Sequence, residues 1–103
     1  MTNNRKHSRH AWETPVEITV DGERQPGRSV NISRGGLFIA TDPVPPFGAR
    51  VRLHITLPGV PEECDMGCIV RWSKPGEGAG LQFEMLRPIE VWALNKLLKS
   101  LDD

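Results

Sequence analysis

Net charge is the first thing this 103-residue chain lacks, since 13 Lys and Arg residues balance 13 Asp and Glu residues. Without a global positive field, the electrostatic drive behind non-specific nucleic-acid binding is missing. Aromatic residues are sparse as well, at 6 % of the chain, and no strand surface is rich enough in them to stack a single strand. A DNA or RNA partner is therefore not expected. Only two cysteines occur, Cys64 and Cys68. Four residues of strand span about 13 Å, beyond the roughly 7 Å Cα limit for a disulfide. Both read as reduced residues on one core-facing strand. His7, His10 and His54 show no ligand-like spacing to them, so no metal is expected. No apolar run approaches membrane-spanning length, and the N-terminus lacks the apolar stretch of a signal peptide. The chain reads as cytoplasmic, without membrane insertion. Neither a Ser/His/Asp or Cys/His arrangement nor a paired-carboxylate site stands out, and Glu62-Glu63 in its proline-flanked loop reads as solvated. The expectation is a protein that is not an enzyme and carries no cofactor.

What is present has the period of strands. The length fits one domain with a single modest core, and 38 % apolar with 25 % charged residues is ordinary globular composition. Val16, Ile18 and Val20 alternate with polar residues up to the turn Asp21-Gly22. Residues 28–32 and 37–41 flank a turn at 33–36, and residues 42–48, with three prolines, read as a loop. Val51, Leu53, Ile55 and Leu57 share one face. Cys64, Met66, Cys68, Val70 and Trp72 share another, and Leu81, Phe83 and Met85 alternate again. These segments predict about six short strands, as in a small antiparallel barrel or sandwich. The last segment changes period: Val91, Leu94, Leu98 and Leu101 recur at helical spacing, widened by Trp92 and Leu97. Pro88 and Glu90 suit the start of a helix, and Lys96 and Lys99 its end. Trp72 and Trp92 read as core residues, while Trp12 is left between packing on a rim and touching a ligand.

Two elements could carry chemistry. The first is Arg5-Lys6-His7-Ser8-Arg9, in a polar arm expected to be mobile until something orders it. Each guanidinium can grip a phosphate or the O6/N7 edge of guanine bidentately. With nine arginines in the chain, roughly one Arg-x-x-x-Arg is expected by chance. Arg24-Gln25-Pro26-Gly27-Arg28 is a second instance, read as a solvated hairpin turn. The second element, Asn31-Ile32-Ser33-Arg34-Gly35-Gly36, is rarer, with about 0.04 chance matches expected from this composition. Asn, Ser and Gly also form turns by bonding their own backbone, so a purely structural role stands beside the functional one.

Together the two elements resemble the PilZ domain family, receptors for the bacterial second messenger cyclic di-GMP. Arg5-x-x-x-Arg9 matches the family's arginine motif and leads into the first strand. Asn31-x-Ser33-x-x-Gly36 matches its second motif, with Leu37-Phe38-Ile39 behind it. Ile69-Val70-Arg71-Trp72 followed by Gly78-Ala79-Gly80-Leu81-Gln82-Phe83 is similar to its closing hairpin. Where many members carry a third arginine before the first, this chain has Asn4. The resemblance implies an all-β fold, a six-stranded antiparallel β-barrel with a C-terminal amphipathic α-helix, in one domain. Residues 1–11 would be the arm, 12–86 the barrel and 88–101 the helix. It implies that Arg5, Arg9, Asn31, Ser33, Gly35 and Gly36 bind cyclic di-GMP, with Gly36 and Gly35 letting backbone approach the ligand, and Arg34 an additional candidate. The chain would act as a receptor and adaptor that relays the nucleotide to a downstream protein controlling motility, pili, polysaccharide or a similar output. The alternative is a PilZ-like interaction module that has lost the nucleotide.

Overall fold

The computed structural model describes residues 9–102. Seven strands precede one helix: β1 (His10–Ala11), β2 (Pro15–Val20), β3 (Glu23–Ile32), β4 (Gly36–Thr41), β5 (Arg50–Ile55), β6 (Cys64–Lys74), β7 (Gly78–Met85) and α1 (Pro88–Asp102). Their order in the sheet is β1-β3-β2-β5-β6-β7-β4, and β4 returns to pair with β3. All pairings are antiparallel. Strands β2 to β7 thus close a six-stranded barrel, and β1 is a short addition to β3. The expected architecture is the observed one.

The β2–β3 hairpin turns in two residues. Asp21 and Gly22 adopt positive φ, 52° and 82°, the conformation whose twist matches flanking antiparallel strands. The chain therefore re-enters the sheet at once, with Val20 opposite Glu23. Residues 24–28, expected as a solvated turn, are strand. Pro26 is tolerated there because β4 joins β3 only from Gly27 onward, so Pro26 has a neighbouring strand on one side alone. Arg24 pairs with Glu17 at 2.5 Å and with Glu63 at 2.7 Å. Glu63 is thus paired rather than simply solvated. Hydrogen bonds to Glu63 and then to Glu17 raise the Arg24 pKa further.

The core is one cluster. Ile18, Ile32, Leu37, Ile39, Leu53, Ile55, Leu57, Met66 and Val70 are sealed inside the barrel, and α1 adds Ala93, Leu94, Leu97 and Leu98. Two expectations for the inward faces of the strands fail. Trp72 is 59 % exposed and Met85 84 % exposed. Val70 lies opposite Leu81 but Trp72 opposite Gly80, leaving Arg71 as an extra residue in β6; Cys68 lies opposite Phe83 but Gly67 opposite Met85, leaving Glu84 extra in β7. Each bulge inverts the alternation beyond it. On the helix, Val91 and Trp92 are also exposed. The buried stripe is centred on Leu94 and Leu97, which leaves Val91 at its margin and Trp92 on the far side.

The helix start is built by its own residues. Glu90 is 1 % exposed; its carboxylate accepts the Arg87 backbone N–H at 2.8 Å and the Arg87 guanidinium at 2.9 and 3.1 Å. With Pro88 at the first helical position, this is the returning half of a capping box. At the other end, Asp102 lies 3.0 Å from His10 Nε2, joining α1 to β1. Replacing Glu90 by Ala should cost about 1–2 kcal/mol of stability through loss of the cap, read as a lower urea midpoint at unchanged slope.

Cys64 and Cys68 are free and buried. Burial raises the Cys64 thiol above the usual range and pushes Cys68 up to about 12. Both stay protonated and shielded in the native state, so a disulfide-exchange reagent at pH 8 should label them only after denaturant is added. Rapid labelling of the folded protein would contradict that burial.

Candidate functional site

One residue inserted into β3 sets up the outer surface of the barrel. Ser29 lies opposite Ile39 and Asn31 opposite Phe38, so Val30 is the extra residue of a bulge. Ser29 and Ile32 both point inward at 0 % exposure, and Asn31 is turned outward between them. From Asn31 a row of paired residues crosses four strands: Asn31 faces Phe38, Phe38 faces Gly80, and Gly80 faces Trp72. Directly paired residues share a face. The far end of the row depends on the second bulge, at Arg71, which also turns Trp72 outward. Arg71 itself is held by Gln82, its Nε donating to Oε1 at 2.7 Å.

Above this row lies a pocket of about 190 Å³ lined by Arg9, Asn31, Phe38, Trp72, Lys74 and Gly80. Arg9 Nη1 donates to Asn31 Oδ1 at 2.8 Å, and pairing of Ala11 with Asn31 holds the neighbouring residues of β1 beside it. No carboxylate lies within 4 Å of Arg9 among the described residues, whereas Arg24 and Arg28 of the second Arg-x-x-x-Arg both face glutamates. On the other side, the Lys74 ammonium stands 5.8 Å from the Phe38 ring centre and 6.0 Å from that of Trp72. Trp72 itself lies against Gly80, where a Cβ would come within 3.2 Å of its Cβ, Cγ and Cδ1. Two cations, two aromatic faces and one side-chain amide thus surround the same space. Such a site can stack a flat heterocycle and neutralise an anionic group beside it.

The remaining motif residues shape the backbone under the site. Ser33 is 4 % exposed. Its backbone N–H donates to Gly36 O at 2.8 Å, its hydroxyl to the same oxygen at 3.3 Å, and its Oγ accepts the Gly35 N–H at 3.3 Å. Gly35 O accepts the Phe83 N–H at 2.9 Å. A Cβ on Gly36 would sit 1.9 Å from Leu81 O, so the neighbouring strand β7 alone demands glycine there. Arg34 is exposed on the turn. Trp12 is partly buried against the core, and its carbonyl accepts the Ser29 hydroxyl at 2.6 Å. Arg5 lies outside the described residues. Of the expected binding residues, Arg9 and Asn31 line the pocket, while Ser33, Gly35 and Gly36 build its supporting turn.

Sequence reasoning missed Phe38, Trp72, Lys74 and Gly80 as pocket residues. Trp72 was hidden by the bulge at Arg71. Gly80 carried a usable signal, because a glycine inside a strand often marks a close approach of another group.

The chain matches the model of the PilZ domain family over residues 3–100. No curated protein sequence matches it. Similar solved structures include the PilZ domain of CeSA from a cellulose-synthesising bacterium, at 16 % identity over 93 % of this chain and 99 % of that one, with a TM-score of 0.69. The Bacillus subtilis inhibitor of motility MotI/DgrA is 23 % identical over 99 % of this chain and 54 % of its own, with a TM-score of 0.75. The PilZ domain of YcgR from Escherichia coli, solved with c-di-GMP, is 14 % identical over 97 % of this chain and 92 % of that one, with a TM-score of 0.70. At these identities the likeness is one of fold.

Because Gly36 meets Leu81 O, Gly36→Ala should destabilise the protein by about 2–3 kcal/mol with no nucleotide present. Chemical denaturation of the free protein measures this; an unchanged midpoint would show that the constraint lies elsewhere.

Proposed function

The chain belongs to the PilZ domain family, and from that membership we propose that it is a receptor for cyclic di-GMP, binding the dinucleotide in the pocket beneath Arg9. The observation that carries the reading is the Arg9–Asn31 hydrogen bond at the edge of an aromatic and cationic pocket. Cyclic di-GMP offers two phosphodiester charges and two guanines. Arg9, tied to the amide by one N–H, keeps further donors for a phosphate or for guanine O6/N7. Arg5, four residues upstream, supplies the second guanidinium of this reading, and Arg34 an additional one.

Asn31 can bond a guanine edge through the amide group that Arg9 does not use. Phe38 and Trp72 provide faces on which a guanine stacks. Lys74 then exchanges its contact with the two rings for one with a phosphate, so the charge over the rings moves to the edge of the ligand. Ser33, Gly35 and Gly36 act by holding the turn that presents Asn31 and Arg34. In this reading no covalent chemistry occurs and no cofactor is needed.

Receptor function requires an output, which this reading assigns to another protein in the cytoplasm. Among the fold neighbours, one is named as an inhibitor of motility and another comes from a cellulose-synthesising bacterium; motility and polysaccharide synthesis are the outputs proposed here. No helix among the described residues is long and apolar enough to cross a membrane.

Calorimetric titration with cyclic di-GMP tests the reading. Binding is expected, and Arg9→Ala should weaken it by more than about 1.5 kcal/mol through loss of a charge-assisted contact. Arg24→Ala should leave affinity unchanged, because Arg24 is already paired with Glu17 and Glu63. Absence of binding heat at micromolar protein would instead favour an interaction module without nucleotide.

A further inference from the structure

Seven large apolar side chains are exposed among the described residues, and four of them, Met85, Ile89, Val91 and Trp92, fall between positions 85 and 92. They gather where β7 runs into α1. On the helix, Ile89, Trp92, Lys96 and Lys99 recur at three–four spacing and form one outer stripe, opposite the face that packs into the barrel. Trp92 is held in place rather than free. Its ring lies against Gly59, where a Cβ would come 3.3 Å from Cζ3, and Lys96 Nζ stands 5.1 Å from its centre. A half-exposed indole fixed from below has the form of an interface anchor. Neither Lys96 nor Lys99 has a carboxylate within 4 Å among the described residues, although five of the eight arginines there do.

We propose that the outer stripe of α1 is a docking surface for an acidic amphipathic segment of another protein. An apolar side chain of that segment covers Trp92 and Ile89, and its carboxylates meet Lys96 and Lys99. Charge complementarity selects this occupant over two others. In an antiparallel pairing of two helices centred on Trp92, Lys96 would meet Pro88 and Lys99 would pass beyond the helix start, with no helical acid opposite either lysine. A membrane surface would find only two lysines beside a few apolar side chains, whereas stable attachment takes a lipid chain or a polybasic cluster. The surface deepens the receptor reading by naming the chemistry of the downstream partner, and it rests on that reading for its regulatory meaning. Asp102, at the end of the same helix, contacts His10, the residue after Arg9.

The three tryptophan indole N–H signals of the isotopically labelled full chain provide the test. One titrant is a synthetic helical peptide with Leu and Glu at three–four spacing; a second carries Lys in place of Glu, and a third is phosphatidylserine vesicles. The acidic peptide should move the Trp92 signal and leave that of Trp72 in place. Lys96→Glu with Lys99→Glu, folded by circular dichroism, should weaken the peptide by about tenfold or more, and Trp92→Ala should do the same. The proposal is overturned by no response to the acidic peptide, equal binding of the basic one, or undiminished affinity in the charge-reversed variant. Vesicle binding that moves Trp92, or self-association in sedimentation that does so, overturns it as well. Cyclic di-GMP added to a separate sample is read at Trp72, so the nucleotide reading and the docking surface can fail independently.

Discussion

The pairing of β3 with β4 closes the barrel, and it carries one residue too many on β3. Burial decides which way that excess is resolved. Ile32 occupies the core at 0 % exposure, and exchanging it for Asn31 would place an amide among aliphatic side chains at the cost of an unmet polar group. The strand therefore bulges at Val30, and Asn31 emerges on the outside beside Arg9. The same logic applies on β6, where the bulge at Arg71 keeps Val70 inside and releases Trp72. The two ends of the candidate site thus depend on local violations of the strand period, each held by the hydrophobic residue next to it.

This explains how far the sequence could be read. Strands with unbroken alternation were legible: Val16 and Ile18 in β2, and Val51, Leu53 and Ile55 in β5, face the core as their period requires. The helix was legible from its three–four spacing, with Leu94, Leu97 and Leu98 buried. Asn31, Ser33 and Gly36 were legible as a motif, but their division of labour was not. Gly36 looked like a place for ligand backbone contact, yet it meets Leu81 O across a strand pair far away in sequence. Trp72 and Met85 were misread because an extra residue in a ladder leaves no trace in one strand's own alternation; it exists only relative to the partner strand. Trp92 was misread for another reason: its type suggests burial, but its helical phase does not.

Trp72 and Trp92 share a mode of support. Each indole rests on a glycine, Gly80 on β7 and Gly59 in the loop before β6, so a large apolar group sits at the surface without losing all its packing. Each also has a lysine ammonium near its ring, Lys74 and Lys96. The pattern is an aromatic platform with a cation over it. At Trp72 it belongs to the nucleotide reading, and at Trp92 to the proposed partner surface.

The contact between His10 and Asp102 has a topological corollary. The two ends of the described chain come together, because β1 joins the sheet beside the last turn of α1. A domain whose ends meet can be spliced into a surface loop of a host protein without prising that loop apart, and its ends can be joined and reopened elsewhere by a short bridge. The opening at the Asp21-Gly22 hairpin, remote from Arg9 in the sheet register, offers such a place. The closed barrel is thus suited to serve as a portable insert held at two adjacent junctions.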